Sequence, residues 1–388
     1  MASKYFILNI LTVMCLAGLI LNYILNKTTY LQTVSTENNS SSLTDFQLIP
    51  SPVSSGMDNM NKTMKLKNIV VYKPTQKRFK DQIDMLDMLS CETKNCEVYS
   101  IQSEPDEAIH AEAIILQGNK IPERIPKRVN INQLFVFANT EPPTDYHTSQ
   151  ARRFVRKSPE YFNLTMTYKF DSDIWLPYGR VLSGSNDTNA TRLKNYDTIF
   201  DIKTKNVFWL NSHCPTTSQR ERYVDRMKNI THVDIYGECG ESKERLENIG
   251  EKHFSRDYKF YLAFENSMCD DYITEKFFNW FYKDVIVVVR GGANYSKYLP
   301  EETYINAANF PNPEALSEFL NELGSDKKRY TDYLRRKDQF RVNLERQNVQ
   351  DAFCALCWRL NNMDKYLPTW QTDIKSWWFD SCRDPSDL

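Results

Sequence analysis

Short apolar runs, separated by polar and helical segments, recur along the chain from about residue 67 onward. Runs of this length that are rich in β-branched and aromatic residues are typical of buried strands. The predicted strands are Asn68–Tyr72, Val98–Ser100, Ala113–Leu116, Gln133–Ala138, Val207–Leu210, Val233–Tyr236, Phe260–Phe264 and Val285–Val289. Helices are predicted from Ser218 to about Lys228, from Glu275 to about Tyr282, near 313–323 and from Lys327 onward.

The order of these elements predicts the fold class. Strands alternate with helices through short connections, most clearly in the second half, and this order is typical of an α/β fold with parallel, doubly wound sheets. Ligands of such sheets bind at the carboxyl ends of the strands. We therefore expect two Rossmann-like domains facing a cleft, at residues 66–200 and 201–360, followed by a C-terminal tail at 361–388.

The N-terminal residues have a different composition. The 21 residues Tyr5–Leu25 carry no charge, and at a rise of about 1.5 Å per residue a helix of that length crosses a bilayer core of about 30 Å. The length of the run and the lack of a small-residue cleavage site favour a signal anchor over a cleaved signal peptide. Residues 1–4 then form a short cytoplasmic tail, 5–25 the transmembrane anchor and 26–65 a lumenal stem rich in Ser, Thr and Asn.

Sequons and cysteines agree with a lumenal location. The N-x-[ST] triplets give as candidates for N-glycosylation Asn38, Asn39, Asn61, Asn163, Asn186, Asn189, Asn229 and Asn294. Eight cysteines follow the anchor, an even number that favours a disulfide framework. Cys354 and Cys357 form a CxxC, for which a zinc or redox half-site is the less favoured alternative. The net charge of −1 does not indicate a nucleic-acid partner.

The segment from Phe260 to Lys276 gives the strongest indication of chemistry. Its pattern predicts a buried strand, a polar loop and a helix that Thr274 caps. The first turn of a helix presents free N–H groups and the positive end of the dipole, which suits phosphate, and Lys276 adds a charge there. Arg220, which opens another helix, has the planar geometry for bidentate contact with phosphate oxygens. The alternative interpretation is that both cations are solvated surface charges.

This segment resembles the signature of the α1,3/4-fucosyltransferase family. Other segments match the same family in the same order, namely Gln133–Pro143, Phe162–Gly179, Ser218–Tyr223, Val233–Gly240 and Asn294–Pro300. The resemblance covers about residues 68–360 and is to an invertebrate-like α1,3-fucosyltransferase. It implies a fold of the glycosyltransferase B type, with an acceptor-side first domain and a second domain that binds GDP-fucose.

The resemblance also implies a reaction. L-fucose is transferred from GDP-fucose, with inversion at C1, to a GlcNAc residue of a glycan, and α1,3 is the family's default linkage. By match to the family, Glu141 is the base that takes the acceptor proton, and Glu275 contacts fucose or steadies its developing positive charge. The residues matched to donor binding are Arg220 and Lys276 on the diphosphate and Asn266 and Tyr272 in the pocket around GDP and sugar.

Further expectations come from the same resemblance. No cofactor is required, a divalent cation such as Mn or Mg at most stimulates, and the protein is a single-pass type II protein of the Golgi membrane with a lumenal catalytic part. Early cysteines in the family tend to bridge to a late CxxC, which implies that Cys91 and Cys96 pair with Cys354 and Cys357. The cysteines left without an assigned partner are Cys214, Cys239, Cys269 and Cys382.

Two places depart from the family pattern. Lys283-Asp284 precedes the strand at Val285, and Arg290 follows it, which adds a cation near the cleft. The loop Thr144–Lys157, with several basic residues, is this chain's own, and it is expected to shape acceptor choice because it follows Glu141.

Three rival interpretations remain. Asp171-Ser-Asp173 has the Asp-x-Asp form of a metal site, which would suit a metal-dependent Golgi glycosyltransferase with another donor, although a structural role is favoured. An inactive lectin-like relative is expected to lack one of the four matched charged residues, and all four are present. A structural membrane glycoprotein gives no reason for motifs in family order.

Overall fold

The computed structural model describes residues 65–75, 77–144, 148–184, 194–240, 250–365 and 373–388. The segments expected to form the cytoplasmic tail, the membrane anchor and all but the end of the stem lie outside these ranges. Within the described ranges, no helix has both the length and the apolar character needed to cross a bilayer. Residues 64–388 form one compact unit.

The first half of this unit forms a parallel sheet with the strand order β2-β1-β3-β4-β5-β6. The strands are β1 Lys67–Tyr72, β2 Cys96–Ile101, β3 Ala113–Gln117, β4 Leu134–Asn139, β5 Leu164–Thr167 and β6 Ile174–Trp175. Helix α1 (Lys77–Ile83) packs on one face and α2 (Thr148–Lys157) on the other. Strands covered on both faces have continuous apolar runs, which is why β3 and β4 could be predicted from the sequence.

The second half forms a parallel sheet with the order β13-β12-β10-β8-β9. Its strands are β8 Lys205–Leu210, β9 Val233–Tyr236, β10 Tyr258–Phe264, β12 Ile286–Arg290 and β13 Ile305–Asn306. Its helices are α3 Tyr196–Asp201, α4 Arg220–Met227, α5 Glu251–Asp257, α6 Glu275–Phe281, α7 Pro313–Ser325 and α8 Lys327–Lys337. The predicted pair of doubly wound parallel sheets is therefore present.

One boundary differs from the expectation. Helix α9 (Glu345–Asn361), which we assigned to the second domain, buries Phe353 and Leu356 in the same core cluster as β1, β3 and β4 of the first sheet. Just before it, β14 (Phe340–Leu344) pairs antiparallel with β7 (Gly179–Ser183). The chain thus returns to the first half at about residue 340, so the second domain does not continue to 360.

Disulfides hold this returning helix. Cys91 is bonded to Cys354 and Cys96 to Cys357, so that both cysteines of the late CxxC on α9 are joined to the region of β2. The other four cysteines that follow residue 25 form the bridges Cys214–Cys239 and Cys269–Cys382. All eight cysteines therefore belong to the disulfide framework that their even number indicated.

The C-terminal segment 373–388 is packed rather than a simple tail. Trp378 and Phe379, in a π-helical turn, are buried in the core cluster that contains Phe137, and β15 (Cys382–Arg383) pairs antiparallel with β11 (Met268–Cys269). The interpretation of Thr144–Lys157 as a loop is wrong from residue 148 onward, where α2 begins. Arg152 on α2 donates through Nη2 to the Phe379 carbonyl at 2.7 Å.

Candidate active site

Glu141 lies two residues beyond the carboxyl end of β4, in a loop fixed by a buried asparagine. Asn119 Nδ2 donates to the carbonyls of Glu141, at 3.1 Å, and Pro142, at 2.9 Å. Asn119 Oδ1 in turn accepts from Trp378 Nε1 at 2.9 Å. Because two prolines follow and buried hydrogen bonds hold the main chain, the Glu141 side chain has a fixed origin at the edge of the first sheet.

Two tyrosines bind the Glu141 carboxylate from opposite halves of the chain. Tyr178, which follows β6, has its hydroxyl 3.3 Å from Oε1 and also 2.8 Å from the Thr140 carbonyl. Tyr272, in the loop before α6, donates to Oε2 at 3.2 Å. Burial, with Tyr178 and Glu141 as the next causes, raises the pKa of the Tyr272 hydroxyl well above its ordinary value. Tyr272 therefore stays a neutral donor to the carboxylate.

Tyr168 adds a third buried phenol to this wall. Its ring centroid is 5.0 Å from that of Tyr272 and 5.1 Å from that of Trp378. Burial, and after it the negative charge of Glu141, raises the pKa of Tyr168 well above its ordinary value. Its hydroxyl has no hydrogen-bond partner among the described residues, although it is buried. An unsatisfied buried donor beside a carboxylate is typical of a site that a ligand completes.

On the second sheet, Glu265 directly follows β10 and binds the N-cap residue of the next helix. Its carboxylate is 1% exposed and accepts from Thr274 N at 2.9 Å and from Thr274 Oγ1 at 3.0 Å. Thr274 Oγ1 accepts from Lys276 N, as expected for an N-cap. At this helix end, Glu265 therefore takes the N–H of Thr274 and the cap takes that of Lys276, so that phosphate binding stays a prediction for the N–H of Glu275.

Lys276 lies between two carboxylates. Its Nζ is 3.2 Å from Glu265 Oε2 and 3.7 Å from Glu275 Oε1, and it donates to Thr274 Oγ1 at 3.0 Å. Burial lowers the pKa of Lys276, but Glu265 and then Glu275 outweigh it, so that this pKa is above its ordinary value. The side chain is 21% exposed, so the interpretation of Lys276 as a solvated surface charge is wrong.

Arg220, in the first turn of α4, is 2% exposed and is also not a surface charge. Its Nη1 donates to the Phe264 carbonyl at 2.7 Å, and Nη2 donates to Asn211 Oδ1 at 2.7 Å and to the His213 carbonyl at 3.0 Å. Burial lowers the pKa of the guanidinium below its ordinary value, against the effect of Glu265. Arg220 thus lies beside the end of β10, from which Glu265 extends.

Several buried polar atoms near these strand ends lack a hydrogen-bond partner among the described residues. They are Arg220 Nε, Asn211 Nδ2, Asn266 Oδ1 and Tyr295 OH. Folded proteins leave few such atoms, and a group of them needs an explanation such as a ligand. Around them, the Ser218 hydroxyl donates to the Glu265 carbonyl at 2.6 Å. The ends of β8, β10 and β12 can therefore offer several donors and acceptors to one polar ligand.

Arg290 does not belong to this group. Its Nε and Nη2 donate to the carboxylate of Asp387 at 2.7 and 2.6 Å, and its Nη1 donates to the Ser218 carbonyl at 2.9 Å. The guanidinium lies 4.6 Å from the ring centroid of Tyr223. The extra cation noted in the sequence is therefore an internal ion pair with the C-terminal segment, not a charge directed into the cleft.

The Asp-x-Asp motif has a local role. Asp173 Oδ2 accepts from Thr165 N and from Thr165 Oγ1, both at 2.8 Å, and so fixes the turn between β5 and β6. Asp171 is exposed. Among the described residues, no three His, Cys, Asp or Glu side chains are grouped so as to hold a metal ion.

The structure separates the candidate sequons. Asn163 is fully buried, and its Oδ1 accepts from Phe135 N at 2.9 Å and from Arg128 Nη2 at 2.7 Å. Because a glycan needs an accessible Nδ2, Asn163 is wrong as a candidate in the folded protein. Asn229 and Asn294 are exposed. The other candidates, Asn38, Asn39, Asn61, Asn186 and Asn189, lie outside the described residues.

The matched residues thus form two groups, one containing Glu141 and Tyr272 and the other Glu275, Lys276 and Arg220. Asn266 lies in the loop after β10, where its carbonyl accepts from Ser218 N and from Thr217 Oγ1, both at 3.1 Å. The sequence did not single out Glu265 or Tyr178. The signal that the sequence offered for Glu265 is its position directly after the apolar run Phe260–Phe264. The strand is buried up to its last residue, and Glu265, which follows it, is buried as well.

Two family models match the chain. The N-terminal fucosyltransferase model matches residues 64–179, and the C-terminal model of glycosyltransferase family 10 (fucosyltransferase) matches residues 200–377. Alpha-(1,3)-fucosyltransferase C of Drosophila melanogaster is 34% identical over 319 residues, which are 77% of this chain and 73% of the relative. Glycoprotein 3-alpha-L-fucosyltransferase A of Drosophila melanogaster is 33% identical over 323 residues, 81% of this chain and 60% of the relative.

The fold also resembles a solved structure. A crystal structure of an alpha1,3-fucosyltransferase superimposes with a TM-score of 0.52 at 16% sequence identity, and the match covers 79% of this chain and 94% of the other. At that identity the likeness concerns the fold alone, and it agrees with the two facing parallel sheets.

Proposed function

The chain belongs to glycosyltransferase family 10, the fucosyltransferases, and we propose that it transfers L-fucose from GDP-fucose to a GlcNAc hydroxyl of a glycan in α1,3 linkage. The observation that carries this proposal is the Glu141 carboxylate, which is fixed at the edge of one sheet and bound by Tyr272 from the other half. Such a carboxylate at the junction of two Rossmann-like sheets suits a general base between donor and acceptor.

The chemistry follows from that position. The acceptor hydroxyl oxygen attacks C1 of fucose while the bond from C1 to the GDP oxygen breaks on the opposite face, so that the configuration inverts. The Glu141 carboxylate takes the hydroxyl proton, and GDP leaves with the electron pair of the broken bond. Tyr178 and Tyr272 use one hydrogen bond each on the carboxylate oxygens, and each oxygen keeps lone-pair capacity for the acceptor hydroxyl.

On the donor side, we assign Arg220 and Lys276 to the diphosphate and Glu275 to the fucose and its developing positive charge. When ionised, Glu265, Glu275 and Lys276 together carry a net charge of −1, that is −1 − 1 + 1. The diphosphate therefore needs a cation beyond Lys276, and we assign that role to the buried Arg220, whose Nε lies 4.0 Å from Glu221 Oε1. Asn266 is assigned to the donor pocket, where its buried Oδ1 lacks a partner among the described residues.

The role that we propose for Tyr272 differs from the one that the family match alone suggested. We assigned it to the pocket around GDP and sugar, and we now propose that its hydroxyl serves the base through its contact with Glu141. The loop that carries it leads directly into α6 with Glu275 and Lys276. A donor bound at α6 is thereby linked to the orientation of the base.

We further propose that transfer needs no metal cofactor, with Mn or Mg at most stimulating. The support is that Asp173 of the Asp-x-Asp motif already uses its carboxylate on Thr165. The protein is proposed to be a single-pass type II protein of the Golgi membrane, anchored by residues 5–25, with the catalytic part in the lumen. The support is the uncharged run and the eight cysteines paired in disulfides.

The test compares the full chain with Glu141→Gln, using labelled GDP-fucose, GlcNAc-containing acceptors and assays with and without EDTA. Glu141→Gln is expected to reduce kcat by roughly 10²–10⁴ and to leave GDP binding unchanged, because only proton transfer is lost. Glu104→Gln, an exposed carboxylate paired with Arg124, serves as the control. Normal turnover by Glu141→Gln would remove Glu141 as the base, and loss of transfer in EDTA would favour a metal-dependent enzyme.

A further inference from the structure

Three aromatic side chains meet where the two halves of the chain contact each other, and we call them the aromatic corner: Phe170, Trp175 and Tyr298. The ring centroid of Phe170 is 5.5 Å from that of Trp175 and 5.9 Å from that of Tyr298, and both pairs are edge-to-face. Phe170 follows β5 of the first sheet, whereas Tyr298 follows β12 of the second. The corner is thus formed by both halves at the carboxyl edge of their strands, where ligands of such sheets bind.

The corner is open to solvent. Phe170 is 47% exposed, and Trp175 and Tyr298 are partly exposed beside it. Exposed rings are common singly, but a group of them at a cleft is typical of a surface that binds something. The Lys297 ammonium lies 4.5 Å from the Phe170 ring centroid. Since Lys297 is itself exposed, its flexible side chain can move aside and donate to a ligand.

A single aspartate joins the corner to the proposed base. Asp271 Oδ2 accepts from Phe170 N at 3.2 Å, and Asp271 Oδ1 accepts from the Tyr298 hydroxyl. Asp271 has a φ of 59°, in the left-handed region, which turns the chain sharply before the next residue. That residue is Tyr272, whose hydroxyl binds Glu141. The corner and the carboxylate are therefore connected through two adjacent residues of one turn.

Polar groups surround the three rings. Asp171 is exposed next to Phe170. Asp270 is 53% exposed and is 3.1 Å from Arg383 Nη1, an ion pair that solvent screens. Together with Lys297 these side chains give carboxylate acceptors and an ammonium donor around an apolar centre. An apolar aromatic surface with a few polar groups at its edge is the usual composition of a small-ligand site.

We propose that the aromatic corner is an acceptor subsite that holds the pyranose ring attached to the sugar being fucosylated. A pyranose has a face of C–H groups, which packs on the negative face of an aromatic ring, and a rim of hydroxyls, which suits Asp171, Asp270 and Lys297. The inference rests on the proposed function, because it takes Glu141 as the base that contacts the acceptor. What it adds is the assignment of Phe170, Trp175 and Tyr298 to the ring next to the one that is fucosylated.

The test uses the full chain, Phe170→Ala and Phe170→Trp, with three acceptors: a β-glycoside of GlcNAc alone, Galβ1,4GlcNAc and GlcNAcβ1,4GlcNAc. For whichever two-ring acceptor proves to be a substrate, Phe170→Ala is expected to raise KM by about 3- to 10-fold, which is the effect of one lost aromatic contact. KM for the one-ring acceptor and for GDP-fucose stays unchanged. Phe170→Trp restores the two-ring KM, because it restores an aromatic face.

Tyr99→Ala is the matched control. Tyr99 is 38% exposed on β2, at the opposite edge of the first sheet from β6 and Trp175. It is expected to change none of the three Michaelis constants. The thermal midpoint of each variant is measured as a control for folding. Because the Phe170 side chain is exposed, Phe170→Ala is expected to stay folded.

Each contrary result overturns a defined statement. Equal changes in KM for one-ring and two-ring acceptors, or no change for either, would overturn the subsite. A rise in KM for GDP-fucose alone would also overturn it and place Phe170 on the donor side. Transfer by the unaltered chain to none of the acceptors would overturn the proposed function first, and the subsite with it.

Discussion

Removing one hydroxyl from Tyr272 tests how the base is positioned. Tyr272 is 2% exposed, and its hydroxyl donates to Glu141 Oε2 at 3.2 Å. A hydrogen bond to a charged group contributes about 1.5–3 kcal/mol. Tyr272→Phe keeps the ring, whose centroid is 5.0 Å from that of Tyr168. The variant therefore loses only the hydrogen bond to the carboxylate. If the whole contribution is lost in the transition state, kcat/KM for the acceptor should fall by about 10- to 150-fold.

The assay is kcat/KM for the acceptor at saturating GDP-fucose. Tyr272→Phe is expected to lower this value by about tenfold or more and to leave KM for GDP-fucose unchanged, because the hydrogen bond that orients the base is what is lost. Tyr178→Phe should lower kcat/KM less, since its hydroxyl also binds the Thr140 carbonyl at 2.8 Å. Tyr330→Phe is the control, because that buried hydroxyl donates to the Lys259 carbonyl at 2.8 Å.

One result would refute this reasoning. If Tyr272→Phe leaves kcat/KM for the acceptor unchanged and instead raises KM for GDP-fucose, the hydroxyl serves the donor. The family match alone would then have assigned Tyr272 correctly.

Two further predictions concern stability. Asp387→Asn should lower the free energy of unfolding by about 3 kcal/mol in urea titrations, because it removes the charged partner of the buried Arg290, whereas the exposed Asp384→Asn should have little effect. Burial lowers the pKa of Lys337 to about 7 from 10.5, so the unfolded state binds more protons above pH 7, and stability should rise with pH there by up to about 1.4 kcal/mol per unit. Lys337→Met should flatten that rise in urea titrations at pH 6.5, 7.5 and 8.5, leaving the part due to Lys203, whose pKa burial also lowers to about 7.

The buried strands could be predicted because their physics is local. In β10 and β12 every face is covered, so each residue of the run must be apolar, and the predicted strands Phe260–Phe264 and Val285–Val289 lie within two residues of the observed ends. Thr274 could be identified as an N-cap for the same reason, since its hydroxyl binds an N–H two residues away.

The path of α9 could not be predicted from local pattern. Its apolar residues Phe353 and Leu356 would fit either sheet, and helical periodicity does not say which one they cover. The deciding contact is the long-range pairing of Cys354 and Cys357 with cysteines far earlier in the chain, at sequence separations of 263 and 261. The domain boundary at 360 was inferred from sequence order alone and therefore failed.

For the site too, the sequence indicated the residues but not their contacts. The family match identified Glu141, Glu275 and Lys276 as residues, but their partners depend on tertiary contacts. Glu265 binds Thr274, the N-cap of the helix that carries Lys276, and the two residues are nine positions apart in sequence. Arg290 has the sequence properties of a phosphate ligand, yet its partner is the penultimate residue of the chain. A charged residue in a motif therefore predicts a chemical role only when the residue that pairs with its charge is known.

The final segment of the chain determines the position of the proposed base although it is far from it in sequence. Trp378 is fully buried and donates to Asn119 Oδ1 at 2.9 Å, and Asn119 in turn binds the main chain at Glu141. The loop of Glu141 is therefore fixed by a residue 237 positions further along (378 − 141).

The same segment also fixes the donor side. Cys382 is bonded to Cys269, which follows β10 closely, and Asp387 binds Arg290 at the end of β12. Residues 373–388 thus contact the first sheet through Trp378 and the second through a disulfide and an ion pair. Because a base must lie within hydrogen-bond reach of its proton, a change in either set of contacts would move Glu141 relative to the donor strands. The segment that local pattern assigned to a tail is for this reason part of the structure that aligns the site.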